Sequence, residues 1–91
     1  MRAVAYHRVV ARLMLEFTID PFVEGHPGPH VTAAVTAAEA LGVEVEFGPF
    51  GSSCTVDAGR AGDVVSAVVG AAFANGATHV SLHAARMEAG E

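Results

Sequence analysis

Tryptophan and lysine are absent from this chain of 91 residues, and cysteine and tyrosine occur once each. The single Cys54 excludes an internal disulfide and fits a reducing compartment. Without lysine, positive charge rests on five arginines against ten acids, a formal net charge of −5. Arg2, Arg8 and Arg12 fall within the opening stretch, and the remainder carries Arg60 and Arg86. Such a chain cannot neutralise a row of phosphates, so nucleic acid is not expected as a partner. An acidic body instead tolerates a cationic small molecule. No apolar run reaches the ~18 to 20 residues needed to span a bilayer. Tyr6, His7 and Arg8 interrupt the apolar opening where a secretion signal would need its core. A cytoplasmic location with no membrane partner is expected.

What is present is small and apolar. Hydrophobic residues make up 52% of the chain, largely alanine and valine, which suits close helix-on-sheet packing better than a large internal cavity. Residues 1–91 are read as one domain. A chain this short buries about 60 to 65% of its unfolded surface, so self-association would help it. A ligand is therefore expected at a surface or between subunits.

Leu13, Leu15, Phe17 and Ile19 alternate with Met14, Glu16, Thr18 and Asp20, the period-two pattern of a strand that Pro21 ends. Residues 1–12 are read either as an extension or as the early part of this strand, starting near Val9. Phe22 to Gly28 is a loop. Pro29 opens a first helix to Leu41, with Val31, Ala34, Val35, Ala38 and Leu41 on one stripe and Gly42 as its left-handed cap. Val43, Val45 and Phe47 alternate with Glu44 and Glu46 in a second strand. Gly48 to Ser53 forms a wide hairpin loop into a third strand, Cys54 to Asp57. Asp63 is the expected N-cap of a second helix ending at Asn75-Gly76, its inner side formed by Val65, Val68, Ala72 and Phe73. Val80, Leu82 and Ala84 alternate with His79, Ser81 and His83 in a last strand.

The order β-α-β-β-α-β is that of an α+β ferredoxin-like sandwich, an antiparallel sheet with both helices on one face. In its usual strand order, 4-1-3-2, the opening strand is central. The open face then gathers Glu16 and Thr18 with Ser81 and His83 on one side and Thr55 and Asp57 on the other, with Glu44 and Glu46 at the far edge.

Residues 14–83 also resemble a known family. EFTIDP (Glu16 to Pro21), PHVTAAVTAAEALGVEVE (Pro29 to Glu46), GPFGS (Gly48 to Ser52) and AAFANGATHV (Ala71 to Val80) are similar, in order and spacing, to the YkoF-like thiamine-binding proteins. The chain departs from the family pattern at Gly28-Pro29, from Gly51 to Asp57, and at Val69-Gly70. The resemblance implies a ferredoxin-like fold and assembly into dimers and tetramers through sheet edges and faces. It also implies binding of thiamine or its hydroxymethylpyrimidine part, with no reaction performed.

The candidate ligand-binding residues are Glu16, Thr18, Thr55, Ser81 and His83 on the open face, with Phe50, Ser52 and Ser53 from the hairpin loop. An aminopyrimidine offers an exocyclic amine and ring nitrogens to a carboxylate and hydroxyls, and nearby negative charge favours a thiazolium. Phe50 offers a ring for stacking. The competing reading makes the same residues a solvated face or a contact surface of a structural or regulatory homo-oligomer. A third reading uses Asp20, Glu24, His26 and His30 as a metal-binding module, although no recognised ligand spacing is present. His79 and His83 stand ~13 Å apart on a strand, too far for one ion without a partner subunit. Catalysis finds little support in the residues: Cys54 has no sequence-adjacent base, Ser52 and Ser53 lack a nucleophile elbow, and there is no phosphate-binding fingerprint. The expectation is a binding protein without enzymatic activity, cofactor or resident metal.

Overall fold

In the computed structural model, residues 11–21, 26–48 and 51–87 are described. The elements are β1 (Arg12–Asp20), α1 (Pro29–Glu39), β2 (Glu46–Phe47), β3 (Ser52–Asp57), α2 (Ala58–Ala74) and β4 (His79–Arg86). One antiparallel sheet runs β2-β3-β1-β4, the expected ferredoxin-like order with β1 inside the sheet.

The alternation read in β1 becomes burial. Leu15, Phe17 and Ile19 are covered by the helix layer, whereas Met14, Glu16, Thr18 and Asp20 face outward. Cys54 and Val56 extend that core across β3, and Ala34, Ala38, Val64, Val68 and Ala72 close it from the helices. The alanines let the helix layer approach the sheet closely.

Helix α1 starts at Pro29, and the Gly28 carbonyl accepts from Val31 and Thr32 N–H at 3.0 Å each. Gly42 and Gly76 follow the two helices at φ of 86° and 104°, the left-handed turn expected after each. His30, buried on α1, donates from Nε2 to the Pro21 carbonyl at 2.6 Å and ties the end of β1 to the helix.

Several boundaries differ from those the sequence suggests. Helix α1 ends at Glu39 rather than Leu41. Helix α2 begins at Ala58 directly after β3, with Asp57 as its N-cap position, so Asp63 lies inside the helix. Burial of Val64, Val68 and Ala72 at four-residue spacing carries this helix through Gly59 and Gly62, because packing outweighs the ~1 kcal/mol propensity deficit of a glycine. That stripe turns Phe73 outward, where it is 50% exposed rather than part of the core. Strand β2 is reduced to two residues, and Val43, just after the Gly42 turn, packs into the core outside the ladder. Strand β3 starts at Ser52, earlier than Cys54, since Gly48 N–H donates to the Gly51 carbonyl at 2.6 Å and closes the hairpin tightly. The suggested start of β1 near Val9 lies outside the described residues.

Cys54 is buried at the β1–β3 seam, and desolvation pushes its thiol above the ordinary range. The folded state then holds this proton more tightly than the unfolded chain. The thiol's contribution is fully present below the unfolded thiol pKa, about 8.5, and is lost as pH rises through the folded value. Urea denaturation between pH 7 and 10.5 should show wild-type stability falling in the alkaline range more steeply than that of Cys54→Ala. Parallel pH profiles would contradict this assignment.

Candidate functional site

Strand register builds the site. On the open face, Glu16 stands opposite Ser53 of β3 and His83 of β4, and Ser53 stands opposite Glu46 of β2. A polar row, Glu46–Ser53–Glu16–His83, therefore crosses all four strands. Thr18 and Ser81 form the neighbouring pair on one side of this row. On the other side Met14 lies between Thr55 and Ala85, followed by Arg12 opposite Asp57. Arg12 Nε and Asp57 Oδ1 approach to 3.8 Å with both side chains about half exposed, a pair that contributes little to stability.

Two recesses open along β3 and meet at Glu46 and Ser53. The smaller, 390 Å³, lies at the hairpin end and is lined by Glu16, Thr18, Glu46, Phe47, Ser52 and Ser53 among others. Its floor is shaped by Gly51, where an added Cβ would meet the Phe17 carbonyl oxygen at 2.9 Å and Thr18 Cγ2 at 2.8 Å. The larger, 610 Å³, runs along β3 towards Asp57, with Met14 and Thr55 on one side and Glu44 and Arg60 on the other. Arg60 Nη2 donates to the Leu41 carbonyl at 2.8 Å, which holds this wall in place.

The sequence-derived candidates divide accordingly. Glu16, Thr18 and Ser53 come together at the smaller recess; Ser81 and His83 lie beside Thr18 and Glu16 on β4. Thr55 belongs to the larger recess, opposite Met14 rather than beside Glu16 or Thr18. Ser52 points to the helix side and is 7% exposed. Phe50 lies outside the described residues. Glu46 lies on the edge strand β2, as the sequence suggests, and its register opposite Ser53 makes it a wall shared by both recesses, a role the sequence reading missed. Its signal was the alternation of Glu44 and Glu46 with Val45, which gave the correct face but not the register.

The loop suggested for a metal is engaged otherwise at His30, whose Nε2 bonds the Pro21 carbonyl. Glu24 lies outside the described residues, and among the described residues no group of three or more His, Cys, Asp or Glu side chains is arranged to hold an ion. No helix among them is long and apolar enough to cross a membrane.

Fold and face together define a small ferredoxin-like α+β domain with a polar, carboxylate-bearing open sheet. Among solved structures it is similar to a domain of unknown function, DUF77, from Bacillus cereus, with a TM-score of 0.62 and 19% identity over 87% of this chain and 77% of that one. It is also similar to the hypothetical protein MJ1052 from Methanocaldococcus jannascii, with a TM-score of 0.56 and 18% identity over 85% of this chain and 79% of that one. At these identities the likeness establishes the shared fold. No protein-family model and no curated protein matches the chain.

Proposed function

We propose that this chain is a non-enzymatic binding protein for thiamine or its hydroxymethylpyrimidine part, acting as a cytoplasmic homo-oligomer. The observation that carries this reading is the junction of the two recesses at Glu46 and Ser53, with Glu16 on the far side of Ser53. Thiamine is a two-ring cation, and two adjoining recesses with carboxylates at their junction suit its shape and charge. Hydroxyls of Thr18 and Ser53 at the smaller recess and of Thr55 at the larger offer both donors and acceptors to a polar two-ring ligand. The motifs from Glu16 to Val80 that resemble the YkoF-like proteins point to the same ligand.

Self-association is supported by the outer edge of β4, eight residues long and free of proline and lysine, the devices that blunt edge pairing. Met14 and Met87, 37% and 38% exposed, add apolar surface to the open face. These same features favour the second reading, a structural or regulatory homo-oligomer whose open face is only a contact surface.

Thermal denaturation with thiamine, with hydroxymethylpyrimidine and with divalent metals separates the readings. A ligand at 100 times its dissociation constant adds about 2.7 kcal/mol of stability. Stabilisation by thiamine or the pyrimidine is expected. No shift with either at millimolar concentration would sink the ligand reading, and a shift with a metal alone would favour the metal-binding one. An isolated chain in light scattering would remove the oligomer.

A further inference from the structure

Backbone hydrogen bonding in β3 can be followed residue by residue. Ala58 N–H donates to Ala11 at 2.9 Å on the β1 side, and Gly48 N–H donates to Gly51 at 2.6 Å on the β2 side. Antiparallel pairs alternate in the direction their N–H and C=O groups point. Both bonds give the same phase: Ser52, Cys54 and Val56 turn these groups to β1, whereas Ser53 and Thr55 turn them to the β2 side. Ser53 meets Glu46 there. Thr55 would meet Glu44 if the ladder continued, but β2 stops at Glu46 and residues 43–45 form no strand.

Thr55 is half-buried, and among the described residues its N–H and C=O have no partner on that side. Backbone groups in such a position are normally satisfied by another chain, a ligand or water. They open into the 610 Å³ recess, whose lining includes Met14, the cross-strand neighbour of Thr55.

The geometry points to the N–H and C=O of Thr55 as the recognition element for the ring that occupies the larger recess, a planar heteroaromatic carrying a donor and an adjacent acceptor on one edge. This inference rests on the proposed binding function and deepens it. A 4-aminopyrimidine has that edge: its exocyclic amine donates to the Thr55 carbonyl while the neighbouring ring nitrogen accepts from the Thr55 N–H. Beyond this edge the recess is lined by Val43 and Glu44, in the place a continued β2 would occupy. With the pyrimidine against β3, the Glu46–Ser53 junction is left for the cationic part of a two-ring ligand. Specificity then comes from backbone, which explains how a site can be built where the β3 side chains are merely Thr55, Val56 and Asp57.

Amide hydrogen exchange and amide proton shifts of the full chain, with 4-amino-5-hydroxymethyl-2-methylpyrimidine as the probe, test this assignment. At saturation the Thr55 amide should exchange at least ~10-fold more slowly and its proton should move downfield, because an N–H closed by an acceptor is withdrawn from water. The Ser53 amide, already facing Glu46, should change little. Thr55→Pro removes the donor without removing a ladder bond, since this N–H faces the free edge, and should weaken binding ~10-fold or more. If the proline variant does not fold, the wild-type exchange data decide. Pyrimidine binding with an unchanged Thr55 amide overturns this inference and leaves the proposed function standing. Absence of pyrimidine binding overturns both. Protection of Thr55 in the free protein that grows with protein concentration would assign the edge to a second copy of the chain, and also overturns it.

Discussion

Replacing Leu15 by alanine is expected to remove about 3 to 5 kcal/mol of stability, the upper part of the range for deleting a buried leucine. Leu15 is 1% exposed at the centre of β1, where its cross-strand neighbours are Cys54 and Ala84. Both neighbours are small. The helix surface above the sheet is built from Ala34, Ala38 and Ala72 together with Val64 and Val68, all fully buried. None of these side chains is long or flexible enough to swing into the space vacated, so the cavity persists and its cost adds to the lost transfer energy. A domain of this length has on the order of 5 to 13 kcal/mol in total, so the variant would lose a large fraction of it. Urea denaturation should show a lower midpoint with an unchanged m-value, whereas Leu15→Met, which roughly conserves volume, should cost under about 1.5 kcal/mol. A loss below 1 kcal/mol for the alanine variant would mean that β1 is not the centre of the core.

That Leu15 can be singled out at all reflects how directly strand periodicity reports burial. The alternation from Leu13 to Asp20 fixes which face of β1 is core, because a one-residue slip would expose Leu15, Phe17 and Ile19 together. Gly42 and Gly76 were similarly legible, since each marks a turn with positive φ. Helix α2 was harder. Gly59 and Gly62 read as loop by local propensity, and only the burial of Val64, Val68 and Ala72, a tertiary effect, extends the helix back to Ala58. The rotation of that helix is hard to read for a related reason: with valine and alanine throughout, its apolar residues form more than one stripe, and packing selects the one through Val64, Val68 and Ala72, which leaves Phe73 outside.

The open face shows where local reading stops. Glu16, Thr18, Ser81 and His83 were brought together by alternation and strand order, both visible in the sequence. The partners on β3 depend on hairpin register, and that is set by the Gly48–Gly51 closure. The tight closure starts β3 at Ser52, so Ser53 rather than Thr55 stands beside Glu16, and Glu46 on the edge strand is brought opposite Ser53 as a wall of the site. The unpaired Thr55 backbone was equally invisible, because a strand pattern from Val43 to Phe47 gives no sign that pairing ends at Glu46.

For the proposed ligand, the second large effect concerns Glu16 and Glu46. They flank Ser53 from either side, two strand spacings or ~10 Å apart, close enough for both to act on one cation between them. A unit charge about 5 Å from a carboxylate interacts by about 1 kcal/mol in a water-like medium and about 3 kcal/mol at an effective dielectric near 20. Each side chain is exposed, so the lower part of that range applies. Glu16→Gln should accordingly weaken thiamine binding ~5- to 10-fold, and the double variant with Glu46→Gln ~30- to 100-fold. Neither change should lower stability by more than about 0.5 kcal/mol, because these positions lie outside the core. Calorimetric titration at low and high salt separates charge from hydrogen bonding. If the carboxylates act through charge, the effect shrinks as salt rises, and the uncharged hydroxymethylpyrimidine loses much less affinity than thiamine in the double variant. If they act as hydrogen-bond acceptors, both ligands lose affinity to the same extent and salt changes little. Unaltered thiamine binding in the double variant would remove both residues from the site and leave the polar row Glu46–Ser53–Glu16–His83 as an assembly surface.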